Sequence, residues 1–177
     1  MTFNECLRSA KERLAATETP YLDALVILSH AAGVAKEKIL ANLPEEIPRV
    51  TAAIFEELIQ RRLKGEPVSY IRNRKEFWEL EFYVDKRVLV PRPDTEVMVE
   101  EALKLIAASE GPYKVHDACS GSGCIAVALK HECPQLEISI SDISSQALEV
   151  ADFNARSLLG VALPSSISDL LSGIAGR

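Results

Sequence analysis

No apolar run in this 177-residue chain is long enough for a secretory core or a membrane span, and the first 20 residues carry Lys11, Glu12 and Arg13 in place of one. A cytoplasmic protein with no membrane partner is expected. The four cysteines, Cys6, Cys119, Cys124 and Cys133, include no C-x-x-C pair. His30, His116 and His131 make no metal-ligand spacing with them, so neither a redox dithiol nor a zinc site is expected, and no histidine is assigned to catalysis. Basic charge is not in excess either. A formal net charge of −6 argues against bare nucleic acid as the main partner, because phosphate neutralisation needs a dominant basic surface. With 47% hydrophobic residues the chain suits one or two ordinary globular domains.

The most informative stretch is Val115 to Ala126, where an apolar strand enters the turn Cys119-Ser120-Gly121-Ser122-Gly123 and then an apolar helix. Gly121 and Gly123 lack the Cβ atoms that would hold a ligand off the backbone, and a helix starting near Cys124 points free N–H groups at that ligand. Asp142 ends the next apolar run, about 20 residues on, where a carboxylate can accept both hydroxyls of a ribose. Gly121, Gly123 and Ala126 also fit the G-x-G-x-x-A dinucleotide fingerprint. On these residues alone, a dinucleotide, another nucleoside cofactor and a tight turn with no ligand all stay open.

Three regions follow one another. The first is helical to about residue 65. Thr2 and Glu5 form a capping box ahead of Phe3, Cys6, Leu7, Ala10 and Leu14. Thr19-Pro20 opens a second helix with an apolar face through Leu22, Leu25, Val26, Leu28 and Ala32, closed by Gly33. A short turn spans Lys36 to Leu40, and Thr51 to Lys64 repeats Ile54, Phe55, Leu58, Ile59 and Leu63 at helical spacing. From Glu66 the period changes to two. Phe77, Leu80, Phe82 and Val84, then Val88, Leu89 and Val90, flank a turn-like Asp85-Lys86-Arg87, which predicts a β-hairpin reversing there. Pro91 to Glu96 then breaks the strand and caps a helix through Val97, Val99, Ala102, Leu103 and Ile106. Beyond it, strands near 113–118, 136–141 and 162–168 alternate with helices at 123–131 and 145–158, which implies a parallel sheet.

Between residues 61 and 92 nine basic residues stand against five acidic ones. That local excess is read either as a solvated face or as a docking surface for an acidic or RNA-associated partner.

Three motifs in order resemble a known family. Arg61-Arg62-Leu63-Lys64-Gly65-Glu66-Pro67-Val68-Ser69-Tyr70-Ile71, then Glu76-Phe77-Trp78, then Val90-Pro91-Arg92-Pro93-Asp94-Thr95-Glu96 are similar to the linker of the peptide chain release factor glutamine methyltransferases. Asp117 to Gly123 is similar to that family's glycine turn, and the likeness begins at Tyr21-Leu22-Asp23-Ala24. It favours S-adenosylmethionine over a dinucleotide. The implied fold class is α/β, with an N-terminal helical bundle, a β-hairpin linker and a truncated Rossmann-like class I methyltransferase domain. The implied division is a helical substrate-docking domain at 1–70, the linker at 71–92 and an incomplete cofactor-binding domain at 93–177.

The resemblance implies methylation of the side-chain amide nitrogen of the glutamine in the Gly-Gly-Gln motif of release factors, which are then the protein partners. By position, Asp117, Cys119, Ser120, Gly121, Ser122 and Gly123 would line the methionine part of the cofactor, Asp142 the ribose, and Asp169 with Leu170 the adenine. Arg92 and Thr95 would stand near the pocket, with no role specified. Asn73 occupies a family glycine position, which asparagine suits because it tolerates positive φ.

The family's catalytic Asn-Pro-Pro-Tyr is not among these residues, since none of Asn4, Asn42, Asn73 and Asn154 precedes a proline. No catalytic residue is therefore assigned. The motif is expected beyond Arg177, and the 177 residues alone are expected to bind the cofactor weakly or not at all and to be inactive, with an edge strand left unpaired. Two other readings compete: a methyltransferase acting on another protein or nucleic-acid amine, and a non-catalytic partner-binding module.

Overall fold

The computed structural model describes residues 1–108, 111, 114–170 and 172. The chain divides into two compact units, Met1–Arg72 and Asn73–Arg177. Among the described residues no helix is long and apolar enough to cross a membrane.

The first unit consists of α1 (Phe3–Arg13), α2 (Pro20–Ala32), α3 (Lys36–Ala41), α4 (Arg49–Leu63) and α5 (Val68–Arg72). The expected capping box is present: the Glu5 N–H donates to Thr2 Oγ1 and the Thr2 N–H donates to Glu5 Oε2. Its core gathers Leu7 and Ala10 of α1, Ala24, Ile27 and Leu28 of α2, Ile39 of α3 and Ile59 of α4.

Lys36 to Leu40 is not a turn but most of a short helix. On α2 the buried stripe runs through Ala24, Ile27 and Leu28, while Leu22 is 49% exposed. That helix is apolar almost all round, so periodicity alone could not choose its inner face. A polar contact helps to set the rotation. Asp23 is buried on the inner side, where it accepts from Thr19 Oγ1 and from Arg62 Nε of α4, both at 2.8 Å.

Arg61 meanwhile makes a bidentate pair with Glu66. Farther along, Arg74 pairs with Glu81, and Arg87 with Asp85 and Glu149. In the first unit Arg61 and Arg62, and in the second Arg74 and Arg87, are thus each paired with a carboxylate of their own unit.

The second unit opens with a two-stranded hairpin, β1 (Lys75–Phe77) and β2 (Leu80–Phe82), paired in antiparallel register with Phe77 opposite Leu80. The chain reverses at Trp78-Glu79, not at Asp85-Lys86-Arg87. Both turn residues have positive φ, +53° and +58°, the conformation that matches a two-residue hairpin to strand twist. Glycine or asparagine usually fills such a turn, and tertiary bonds hold tryptophan there instead. The Trp78 N–H donates to Glu96 Oε1 at 3.0 Å, and its indole Nε1–H donates to Glu132 Oε1 at 2.9 Å. Phe77 and Phe82 bury their rings edge to face, with centroids 6.1 Å apart. At 85–87 the chain does turn, but without flanking strands, as Asp85 accepts from the Arg87 N–H and guanidinium. Asn73 has φ +53°, as its residue type allows.

A single 3₁₀ turn at Pro93–Thr95 leads into α6 (Glu96–Ala107). Then come β3 (Lys114–Ala118), α7 (Cys124–Glu132), β4 (Glu137–Asp142), α8 (Ser145–Leu159) and β5 (Ser165–Ile167). The strands form a parallel sheet in the order β3-β4-β5, with Asp117 opposite Ile140 and Asp142 opposite Ile167. This is the alternating α/β pattern expected. His116 is occupied structurally, its two ring nitrogens lying 2.8 Å from Ser139 Oγ and Ser141 Oγ. A cavity of about 720 Å³ runs along residues 114–116, 135–140 and 161–166 and includes none of the residues 117–123.

Candidate functional site

Ligands of open parallel sheets bind beyond the carboxyl ends of the strands, and in this chain those ends carry Ala118, Asp142 and Ile167. The loop Cys119–Gly123 leaves β3 with left-handed φ at Cys119 (+61°), Gly121 (+53°) and Gly123 (+76°). Its shape is held from the β4 side. The Ser120 N–H donates to the Ser141 carbonyl and the Gly121 N–H to Asp142 Oδ2, both at 2.9 Å, while the Gly123 N–H donates to the Ser120 carbonyl at 2.8 Å.

Asp142 is therefore a hub. Oδ1 accepts from the Ser144 N–H at 2.9 Å, and its carbonyl accepts from the Ser168 N–H at 3.1 Å. An ionised carboxylate offers about four lone-pair sites, so two remain for a ligand, enough for a vicinal diol. Asp117, at the end of β3, accepts from the Ala126 N–H at 3.3 Å. Burial pushes its carboxyl up to about 6, the nearby Asp142 charge adds to that, and the Ala126 N–H opposes it. Burial also raises the Cys124 thiol to about 11, which removes it as a nucleophile near neutral pH.

The two glycines have different reasons. A Cβ at Gly123 would lie 3.0 Å from the Ala151 Cβ of α8, so the side of the backbone where a side chain would stand is taken up by helix packing. A Cβ at Gly121 would meet nothing within 4 Å, so its open side faces space that a ligand could fill. Beside it, Ser120 Oγ is buried and has no hydrogen-bond partner among the described residues.

Asp117, Ser120, Gly121 and Asp142 are brought together. Ser168 links the next segment to Asp142 and places Asp169 and Leu170 beyond β5, with Leu170 at φ +53° and 63% exposed. Cys119 is exposed, whereas Ser122 is buried. Arg92 and Thr95 form their own turn, the Thr95 N–H donating to the Arg92 carbonyl at 3.0 Å, and among the described residues no hydrogen bond joins them to the loop. No cluster of histidine, cysteine and carboxylate residues suited to a metal occurs among the described residues. The sequence reading missed Asn154, which donates to the Ser122 carbonyl at 2.9 Å. Its signal was a polar side chain within the apolar row Ala147, Leu148, Ala151 and Ala155.

Known proteins match both units. The family model described as PrmC N-terminal domain covers residues 5–72, and that described as methyltransferase small domain covers 95–175. A release factor glutamine methyltransferase from Moorella thermoacetica is 41% identical over 160 residues, 89% of this chain and 56% of that protein. Its Escherichia coli K12 counterpart is 35% identical over 177 residues, all of this chain and 63% of that protein. The chain belongs to the release factor glutamine methyltransferase family. A third member, from Haemophilus influenzae, is 40% identical over 171 residues, 88% of this chain and 59% of that protein. The chain thus spans about three-fifths of the length of the curated relatives it matches. In family terms, the α/β unit supplies the methyltransferase fold and the helical unit the family's N-terminal domain.

Proposed function

We propose that this chain forms the cofactor-binding and substrate-docking part of an S-adenosylmethionine-dependent enzyme that methylates the side-chain amide nitrogen of the glutamine in the Gly-Gly-Gln motif of release factors, in the cytoplasm. The observation that supports it best is the meeting of Gly121 and Asp142 at 2.9 Å, which puts an open backbone and a carboxylate with spare acceptor capacity side by side. That pairing suits a nucleoside joined to an amino acid. Asp142 would take the ribose hydroxyls, while Asp117, Cys119 and the loop through Gly123 would line the methionine part. Asp169 and Leu170 would flank the adenine, with Arg92 and Thr95 nearer the pocket rim.

S-adenosylmethionine supplies, when bound, an electrophilic sulfonium methyl group. An amide nitrogen attacks such a methyl poorly because its lone pair is delocalised into the carbonyl. Acceptors that take the amide N–H bonds would align that nitrogen, an effect worth up to about 7–11 kcal/mol in well-oriented systems. The Asn-Pro-Pro-Tyr motif associated with that task does not occur in the 177 residues. The chain on its own is therefore expected not to complete transfer.

The test is incubation with labelled S-adenosylmethionine and an unmethylated release factor, with and without the C-terminal portion of a relative fused after Arg177. Label on the Gly-Gly-Gln glutamine with the fusion and none with the chain alone is the expected result. Label on RNA or on a ribosomal protein instead would overturn the substrate assignment. Transfer by the chain alone would show that its own residues align the amide.

A further inference from the structure

Asn154 is 1% exposed, within an apolar row of α8. A side-chain amide there is costly unless its polar atoms are met. Backbone groups meet them. The Tyr83 N–H donates to Asn154 Oδ1 at 2.8 Å, and Asn154 Nδ2 donates to the Tyr83 carbonyl at 3.0 Å and to the Ser122 carbonyl at 2.9 Å. One amide therefore pairs with both backbone groups of Tyr83, as a neighbouring strand would, and uses its second N–H to hold the loop. One turn earlier on α8, Ala151 takes the close approach at Gly123. The loop is gripped from the β4 side through Ser141 and Asp142 and from the α8 side through Ala151 and Asn154.

Such a grip has work to do. Cys119, Gly121 and Gly123 all sit in the left-handed region, which a free loop holding a cysteine would leave readily. We propose that Asn154 is the positioning residue of the glycine loop: it locks the Ser122 carbonyl, and with it the path of Cys119–Gly123, to the backbone of Tyr83 just beyond the hairpin. The lock itself is a property of the chain without ligand, whereas its value for binding rests on the cofactor reading above.

Two variants of the full chain test it. Asn154→Asp keeps an acceptor for the Tyr83 N–H but sets carboxylate oxygen against two carbonyls, and Asn154→Ser is too short to reach them and adds no bulk or charge if the first variant fails to fold. Amide hydrogen exchange is expected to quicken about tenfold or more at Gly121 and Gly123, while Leu129 and Ile140 keep their wild-type rates. Unchanged loop exchange, or an equal rise at the two reference amides, would overturn the lock. Affinity for S-adenosylhomocysteine, measured by calorimetry, is expected to fall about tenfold in parallel. If wild type and variants bind it alike, the lock has no role in binding and the proposal falls. If wild type does not bind it while the exchange pattern holds, the lock stands and the cofactor reading falls.

Discussion

Gly123 and Ala151 stand so close that any Cβ at position 123 would lie 3.0 Å from the Ala151 Cβ. Gly123 also has φ +76°, so a larger residue meets both a steric and a conformational penalty. Gly123→Ala is expected to destabilise the second unit by about 1–3 kcal/mol, the usual range for overpacking, as read from chemical denaturation. A wild-type midpoint would mean that α8 shifts freely away from the loop.

Gly121 should behave differently. Its open side costs Gly121→Ala only the left-handed conformation, about 1–2 kcal/mol of stability. Gly121→Val adds branched bulk on the side proposed for the cofactor, so cofactor affinity should fall further for valine than for alanine. Calorimetry separates the two effects, and equal affinities for both variants would move the ligand off this loop.

Asp142→Ala removes the carboxylate proposed to take the ribose and releases the Gly121 and Ser144 N–H groups. Cofactor binding should weaken by about 1.5–3 kcal/mol, the range for hydrogen bonds to a charged group. Asp142→Asn, which retains acceptor capacity, should lose less. An affinity unchanged by either variant would place the ribose elsewhere.

The raised Asp117 carboxyl, at about 6 in the fold, predicts a pH effect with a definite sign. The unfolded chain loses this proton near pH 4, so between about pH 4 and pH 6 the folded state holds it more tightly. Stability from this group therefore falls as pH rises through that window, and above it the full cost of a buried charge is present. Asp85, shifted downward chiefly by its bonds to the Arg87 side chain, slopes the other way, so the wild-type curve alone does not isolate the effect. In Asp117→Asn minus wild type, the variant should gain on the order of 1–2 kcal/mol between pH 4 and pH 7. A flat difference would mean that Asp117 titrates normally.

Residues 1–72 should fold alone, because α1 carries its own capping box and the core of the first unit lies within it. Circular dichroism of that fragment should be helical, and a coil-like spectrum would show that it depends on the second unit. Within the fragment, Asp23→Ala should cost about 1.5–3 kcal/mol by removing the carboxylate to which Arg62 Nε and Thr19 Oγ1 donate.

Local chemistry was legible in the chain before any folding. The Thr2–Glu5 cap, the strands and helices from 114 to 167, and the coming together of Asp117, Gly121 and Asp142 followed from spacing and residue type, since each depends on neighbours or on a regular βαβ repeat. The tertiary structure decided what distant groups impose. It moved the hairpin turn to Trp78-Glu79, because Glu96 and Glu132 reach back to the Trp78 N–H and indole, whereas a period of two runs on through Val84 without marking a reversal. It turned α2 so that Leu22 faces out and Asp23 meets Arg62, a choice unavailable to a helix apolar on nearly every side. It gave Gly123 to Ala151 and the Ser122 carbonyl to Asn154, contacts that exist only once α8 has packed beside the loop. The order of apolar and polar residues records which surfaces seek burial, while the identity of the atom each finally meets is set by chain segments far away in sequence.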